Sequence, residues 1–152
     1  MSAAADCAFC KIVEDPTRAD VVFADDASIA FLDHRPLFVG HVLLAPKAHH
    51  ETLPDLPVDL LQPLFANAQL LCRAVEESLG ADGTFIAINN KVSQSVPHLH
   101  VHVIPRRFKD GLKGFFWPRQ RYLDRETREA TARSIGEAFR RLRGSGQESL
   151  RQ

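Results

Sequence analysis

From Val58 to Leu79 the apolar residues Leu60, Leu64, Ala68, Leu71, Val75 and Leu79 recur every three or four positions. That spacing predicts a long amphipathic helix, and Gly80 is placed to end it. Pro63 falls near its start, where a missing N–H is tolerated. A second helix is predicted from about Asp124 to Leu142, stopping at Gly144, and a short helical turn from Cys7 to Val13 with Asp6 as its cap. The remaining apolar runs are short. Val21–Phe23, Ile29–Leu32, His41–Ala45, Thr84–Ile88 and His98–Ile104 read as five strands, with Asp25-Asp26 as a hairpin turn and Pro46 and Pro105 as terminators. Two main helices separated by several strands predict an α+β domain on a mostly antiparallel five-stranded sheet. One domain is expected over residues 1–144, with residues 145–152 as a flexible C-terminal tail.

The 152 residues suit a single core, and Lys+Arg and Asp+Glu each number 19, for a formal charge of zero. A balanced chain is not built to coat a nucleic acid polymer or an anionic membrane, so neither is expected as a partner. No apolar stretch is long enough to span a bilayer, and Met1 to Asp6 lacks the basic and apolar regions of a secretion signal; a cytoplasmic location is expected.

Three cysteines are too few for a disulfide framework. Cys72 falls in the long helical pattern as a small core residue, whereas Cys7 and Cys10 form a C-x-x-C pair. The chain also has seven histidines, and His98, His100 and His102 alternate with Leu99, Val101 and Val103. On a strand this places three imidazoles on one face, about 6.6 Å apart per step, and the apolar residues on the other. Three readings follow: a solvated polar face, a catalytic zinc held by neighbouring imidazoles, or nucleophilic catalysis. In the last, one ring nitrogen is held by a hydrogen bond, the other attacks, and flanking imidazoles supply protons and hydrogen bonds. The outer pair stands about 13 Å apart on a straight strand, too spread for all three to share one ion.

His98-Leu99-His100-Val101-His102-Val103-Ile104 resembles the His-φ-His-φ-His-φ-φ signature of the histidine-triad (HIT) superfamily, where φ is apolar. Cys7-Ala8-Phe9-Cys10-Lys11-Ile12 is similar to the N-terminus of bacterial members, and Phe31-Leu32-Asp33-His34-Arg35-Pro36 with Gly40-His41-Val42-Leu43-Leu44 resembles the family's second and third strands. Pro46-Lys47-Ala48-His49 resembles its P-K-x-H turn, and Asn89-Asn90 with Gln94-Ser95 the loop before the triad; together these span roughly residues 7 to 107.

The resemblance implies a HIT-like fold and attack on the α-phosphate of a nucleotide through a nucleotidyl–histidine. In that reading His100 is the nucleophile, His102 contacts the phosphate oxygens, His98 completes the triad and His41 supports it by hydrogen bonding. Gln94 and Ser95 hold the phosphate or assist the leaving group. Asp33 receives the ribose hydroxyls, Phe9, Ile12, Phe31 and Leu43 wall the base slot, and Asn89 lies beside the phosphate. For Phe31 and Leu43, plain core packing is an equal explanation. His rather than Gln at the third position resembles the hydrolase branches. Two departures stand out: the loop from Asn89 to Gln94 is shorter and lacks glycines, and His34 replaces an apolar residue. The implied substrate is a purine nucleotide, either a nucleoside phosphoramidate or a dinucleoside polyphosphate, and the implied assembly is a homodimer. A nucleotidyl transferase and a nucleotide-binding regulatory or scaffold protein are the alternatives.

C-x-x-C at the extreme N-terminus lacks the βαβ setting of a redox motif. It is half of a zinc site, and His49 and His98 can complete a Cys2His2 set, the arrangement some HIT proteins use; two buried thiols are the alternative. A structural Zn2+ is expected, and no organic cofactor. Arg106, Arg107, Lys109, Lys113, Arg119 and Arg121, interleaved with Phe108, Phe115, Phe116 and Trp117, form either a solvated face, a polyphosphate contact or part of a dimer interface.

Overall fold

A computed structural model describes residues 6–112 and 120–149, the last seven as backbone. Five strands, β1 (Val21–Ala24), β2 (Ser28–Leu32), β3 (Val42–Pro46), β4 (Gly83–Ala87) and β5 (Val101–Arg106), form one sheet in the order β1-β2-β3-β5-β4, every pair antiparallel. The helices are α1 (Ala8–Glu14), α2 (Val58–Leu79) and α3 (Arg125–Ser149), and single 3-10 turns occupy Pro16–Arg18 and Leu53–Asp55. The α+β expectation holds, with a third helix of two turns. Among the described residues no helix is long and apolar enough to cross a membrane.

Strand alternation splits the apolar residues between two layers. Ala30, Val42, Leu44, Leu99, Val101 and Val103 face α2 and meet Leu64, Ala68, Leu71 and Val75, the stripe legible in the sequence. Each Leu and Val among them, once buried, contributes about 1.5–3 kcal/mol. Ile29, Phe31, Leu43 and Ala45 face the other way, beneath α1, with Phe9 and Cys7. The helix α2 ends at Gly80 in the left-handed conformation (φ 58°). The Arg107 guanidinium donates to the Leu79 and Gly80 carbonyls at that end, placing a cation on the negative pole of the helix.

Several boundaries differ from those expected. The ladder of β5 starts at Val101: His98, Leu99 and His100 are unpaired with β3, and the Leu99 N–H bonds instead to the His50 carbonyl. Pro105 lies inside β5, opposite Thr84 of β4. Its missing N–H is tolerated because pairing with β3 has already ended at Val42↔Val103. The N-cap of α1 is Cys7 rather than Asp6.

Residues 112–149 are described by themselves. The Asp124 carboxylate accepts from the Thr127 N–H and caps α3, and Arg125 pairs with Glu129 one turn on. This helix continues through Gly144 to Ser149, so the start of the expected tail is helical. A glycine stops a helix when it turns left-handed, as Gly80 does, and merely weakens it otherwise. Lys113, Phe115, Phe116, Trp117 and Arg119 of the basic, aromatic loop lie outside the described residues.

Candidate functional site

The layer beneath α1 holds the chemistry. His98, His100 and His102 all turn toward it while Leu99, Val101 and Val103 fill the α2 layer, so the alternation read from the sequence persists where the ladder does not. The ring centroids of His100 and His102 are 4.8 Å apart.

Backbone groups set the tautomers of His100 and His41, and His41 in turn sets that of His102. The Nδ1–H of His100 donates to the His98 carbonyl at 2.7 Å, which leaves Nε2 with its lone pair. The edge of Phe9 packs on this ring, with centroids 5.1 Å apart and planes at 84°. His100 is buried at 4% exposure, and that burial pushes its pKa below the ordinary histidine value, so the ring is neutral at pH 7. The Leu37 N–H donates to His41 Nδ1 at 3.3 Å, so the proton of His41 is on Nε2, which donates to His102 Nδ1 at 2.9 Å. His102 therefore carries its proton on Nε2, a buried atom with no hydrogen-bond partner among the described residues. Burial first, then the neighbouring His100 and His41, push His102 down to about 4, and burial likewise lowers His41. Two neutral imidazoles in series thus deliver one unsatisfied N–H beside the His100 ring.

The His100 and His102 rings line a cavity of about 380 Å³. Its lining brings together Phe9, Ile12, Phe31, Asp33, His34, Leu43, Ser95, His100 and His102. Asp33 is fixed by the Arg35 N–H at 2.8 Å, and its other oxygen is 3.6 Å from His41 Nδ1. His34 stands at the rim, its side chain 87% exposed. Asn89 and Gln94 are not among the lining residues. The Gln94 amide accepts from the Lys91 N–H at 2.8 Å and donates to the Glu51 carbonyl at 2.6 Å, which ties the short loop to the β3–α2 connection. Without glycines, this loop turns through Lys91 (φ 68°) and Ser93 (φ 60°) in the left-handed region, at roughly 1–2 kcal/mol each. Arg18, Ala19, Asp20 and Val96 also line the cavity, and nothing in the triad pattern pointed to them.

A second cluster adjoins the first through His98. The side chains of Cys7, Cys10, His49 and His98 each bring a ligand atom within 4.8 Å of the others. His98 donates its Nε2–H to the Pro46 carbonyl at 2.8 Å, so its Nδ1 lone pair faces Cys7 Sγ at 3.4 Å and Cys10 Sγ at 3.6 Å. His49 Nδ1 is 3.3 Å from Cys10 Sγ. A tetrahedral zinc with ordinary Zn–S and Zn–N bonds requires S···N edges of about 3.6 Å, so the residues fit that ion. Burial and the adjoining Cys7 push the Cys10 thiol up to about 11, a penalty on the second thiolate that a dication would offset. His100 is outside this cluster, and its Nδ1 is spent on a carbonyl.

Residues 15–109 match the HIT domain family. The chain belongs to the HIT family. It is 38% identical over 138 residues to an uncharacterised HIT-like protein of Mycobacterium tuberculosis, covering 88% of this chain and 92% of that one. It is 33% identical over 109 residues, 70% of its own length, to the adenylylsulfatase HINT3 of Arabidopsis thaliana, and spans 55% of that protein. A zinc-bound HIT family protein from Mycobacterium smegmatis shares its fold with a TM-score of 0.68 at 37% identity, covering 88% of this chain and 99% of that one. In this HIT protein, then, the triad segment adjoins two neighbouring clusters, the His100 and His102 rings at the cavity and the candidate Cys2His2 cluster through His98.

Proposed function

We propose that this HIT protein hydrolyses a nucleotide at its α-phosphate through a covalent intermediate on His100. The observation that carries the reading is the His100 tautomer: Nδ1–H is held by the His98 carbonyl and the neutral ring offers Nε2 to the cavity. Nε2 forms the bond to phosphorus. The bond from phosphorus to the leaving group breaks, its electron pair goes to the departing nitrogen or oxygen, and that atom takes up a proton. Water then attacks the same phosphorus, the N–P bond returns its pair to Nε2, and the water proton is released with the nucleoside monophosphate. The unsatisfied Nε2–H of His102 bonds a phosphoryl oxygen as charge builds there. Ser95 lines the same cavity, Asp33 accepts the ribose hydroxyls, and Phe9, Ile12, Phe31 and Leu43 enclose the base. The substrate is a nucleoside phosphoramidate or dinucleoside polyphosphate, of which the cavity encloses one nucleotide. The hydrolase name of the Arabidopsis relative agrees with this reaction class.

Cys7, Cys10, His49 and His98 would hold a zinc ion, which would supply cross-linking rather than chemistry on the substrate. The four ligands would tie α1, and with it Phe9, to the segment that ends in His100. His100→Ala is expected to lower kcat by at least about a thousandfold while nucleotide binding and thermal unfolding stay near wild type. A variant that keeps a near-wild-type rate would overturn the assignment.

A further inference from the structure

We infer that Asp20 makes the base slot selective for guanine, which rests on the nucleotide reading above. The cavity crosses the sheet: His102 of β5 is opposite Leu43 of β3, Leu43 is opposite Phe31 of β2, and Phe31 is opposite Val21 of β1. Three strand spacings make about 14 Å. A nucleotide with its phosphorus at His100 lies along this row with the outer edge of its base toward the chain entering β1. There Arg18 and Asp20 line the cavity, whose polar lining also includes Asp33 and His34 on the neighbouring chain segment.

The two charged groups differ in what remains free. The Arg18 guanidinium is paired with Asp15, its Nε 3.3 Å from Oδ2. Asp15 is itself fixed by the Thr17 N–H and hydroxyl. The backbone of Asp20 is anchored, its carbonyl accepting the Leu32 N–H at 3.0 Å. Its carboxylate has no hydrogen-bond or ion-pair partner among the described residues. A carboxylate accepts only. Guanine presents two adjacent donors, N1–H and the N2 amino group, which one carboxylate accepts together. Adenine presents a single donor there, N6, beside an N1 lone pair that repels the carboxylate. Recognition of this edge discriminates strongly when the pairing is complete. Because Asp20 is exposed, the expected preference is about tenfold.

The test is equilibrium binding of GMP and AMP to the full chain and to D20A and D20N, followed by calorimetry. Wild type is expected to bind GMP about tenfold tighter than AMP, and D20A to bring the two within about twofold. D20N, whose amide can donate to N1 and accept from N6, is expected to bind AMP more tightly than D20A does. Equal wild-type affinities, or a GMP preference that survives D20A unchanged, would overturn the inference. Failure to bind either nucleotide would overturn both it and the nucleotide reading. GMP preference in a protein that hydrolyses neither a guanosine phosphoramidate nor a diguanosine polyphosphate would support the selectivity and overturn the hydrolase reading alone.

Discussion

Replacing His102 by Asn isolates the energetic consequence of keeping that ring neutral. Its Nδ1 accepts from His41, and the Asn amide oxygen can take the same position, so the substitution removes the titration while retaining the acceptor. In the folded chain His102 is held down to about 4 against an ordinary value of 6.5. At pH 7.5 the ring is neutral in both folded and unfolded chains and contributes nothing. As the pH falls through 6.5 the unfolded chain takes up a proton that the folded chain refuses, and stability drops until about pH 4, where the folded ring also protonates. A fully dry ring would cost about 3 kcal/mol over that window. His102 is only partly buried, and allowing for solvent reduces the figure to about 2 kcal/mol. Denaturant unfolding of wild type and His102→Asn, under identical metal conditions at pH 7.5 and pH 4, measures the difference. His41, His98 and His100 are also depressed, and so both proteins lose stability in acid; the difference between them reports His102 together with its coupling to His41 and His100. Wild type is expected to lose about 2 kcal/mol more than the variant. Equal losses would refute the picture of a neutral His102 fed by His41.

Two further substitutions probe the frame around the site. Cys10→Ser removes one of four zinc ligands, and elemental analysis is expected to show bound zinc falling from about one per chain to well below half, with a lower melting temperature; full metal content in the variant would contradict the proposed ligand set. Gly40→Ala places a Cβ where φ is +95°, in collision with Leu79 Cδ1. The Leu79 tip can move but the backbone cannot, so a loss of about 1–2 kcal/mol is expected by denaturant titration, and an unchanged midpoint would contradict it.

Periodicity carried most of the fold. The stripe from Leu60 to Leu79 gave α2 its observed limits because Gly80 supplies the left-handed stop the pattern lacked. Alternation likewise assigned His98, His100 and His102 to one face, and the Cys and His residues of the candidate metal cluster were legible as ligand types. Alternation describes an extended chain and not its partner, so it could not show that the β5 ladder begins only at Val101. The direction of Gln94 was equally hidden. Its amide is captured by Lys91 and Glu51, a consequence of how a loop without glycines closes in space. Arg18 and Asp20 lie some eighty residues from the triad and reach the cavity only because β1 lies at one edge of the sheet, three strands from β5.

A neutral imidazole at position 100 that attacks phosphorus becomes covalently attached to the nucleotide. Rapid quenching of the protein during turnover of a radiolabelled nucleoside phosphoramidate, followed by peptide mapping, tests it directly. Acid-labile label on the peptide carrying His100, absent from His100→Ala, is the expected result. Turnover with no label on the protein at any quench time, or label that persists in His100→Ala, would contradict it.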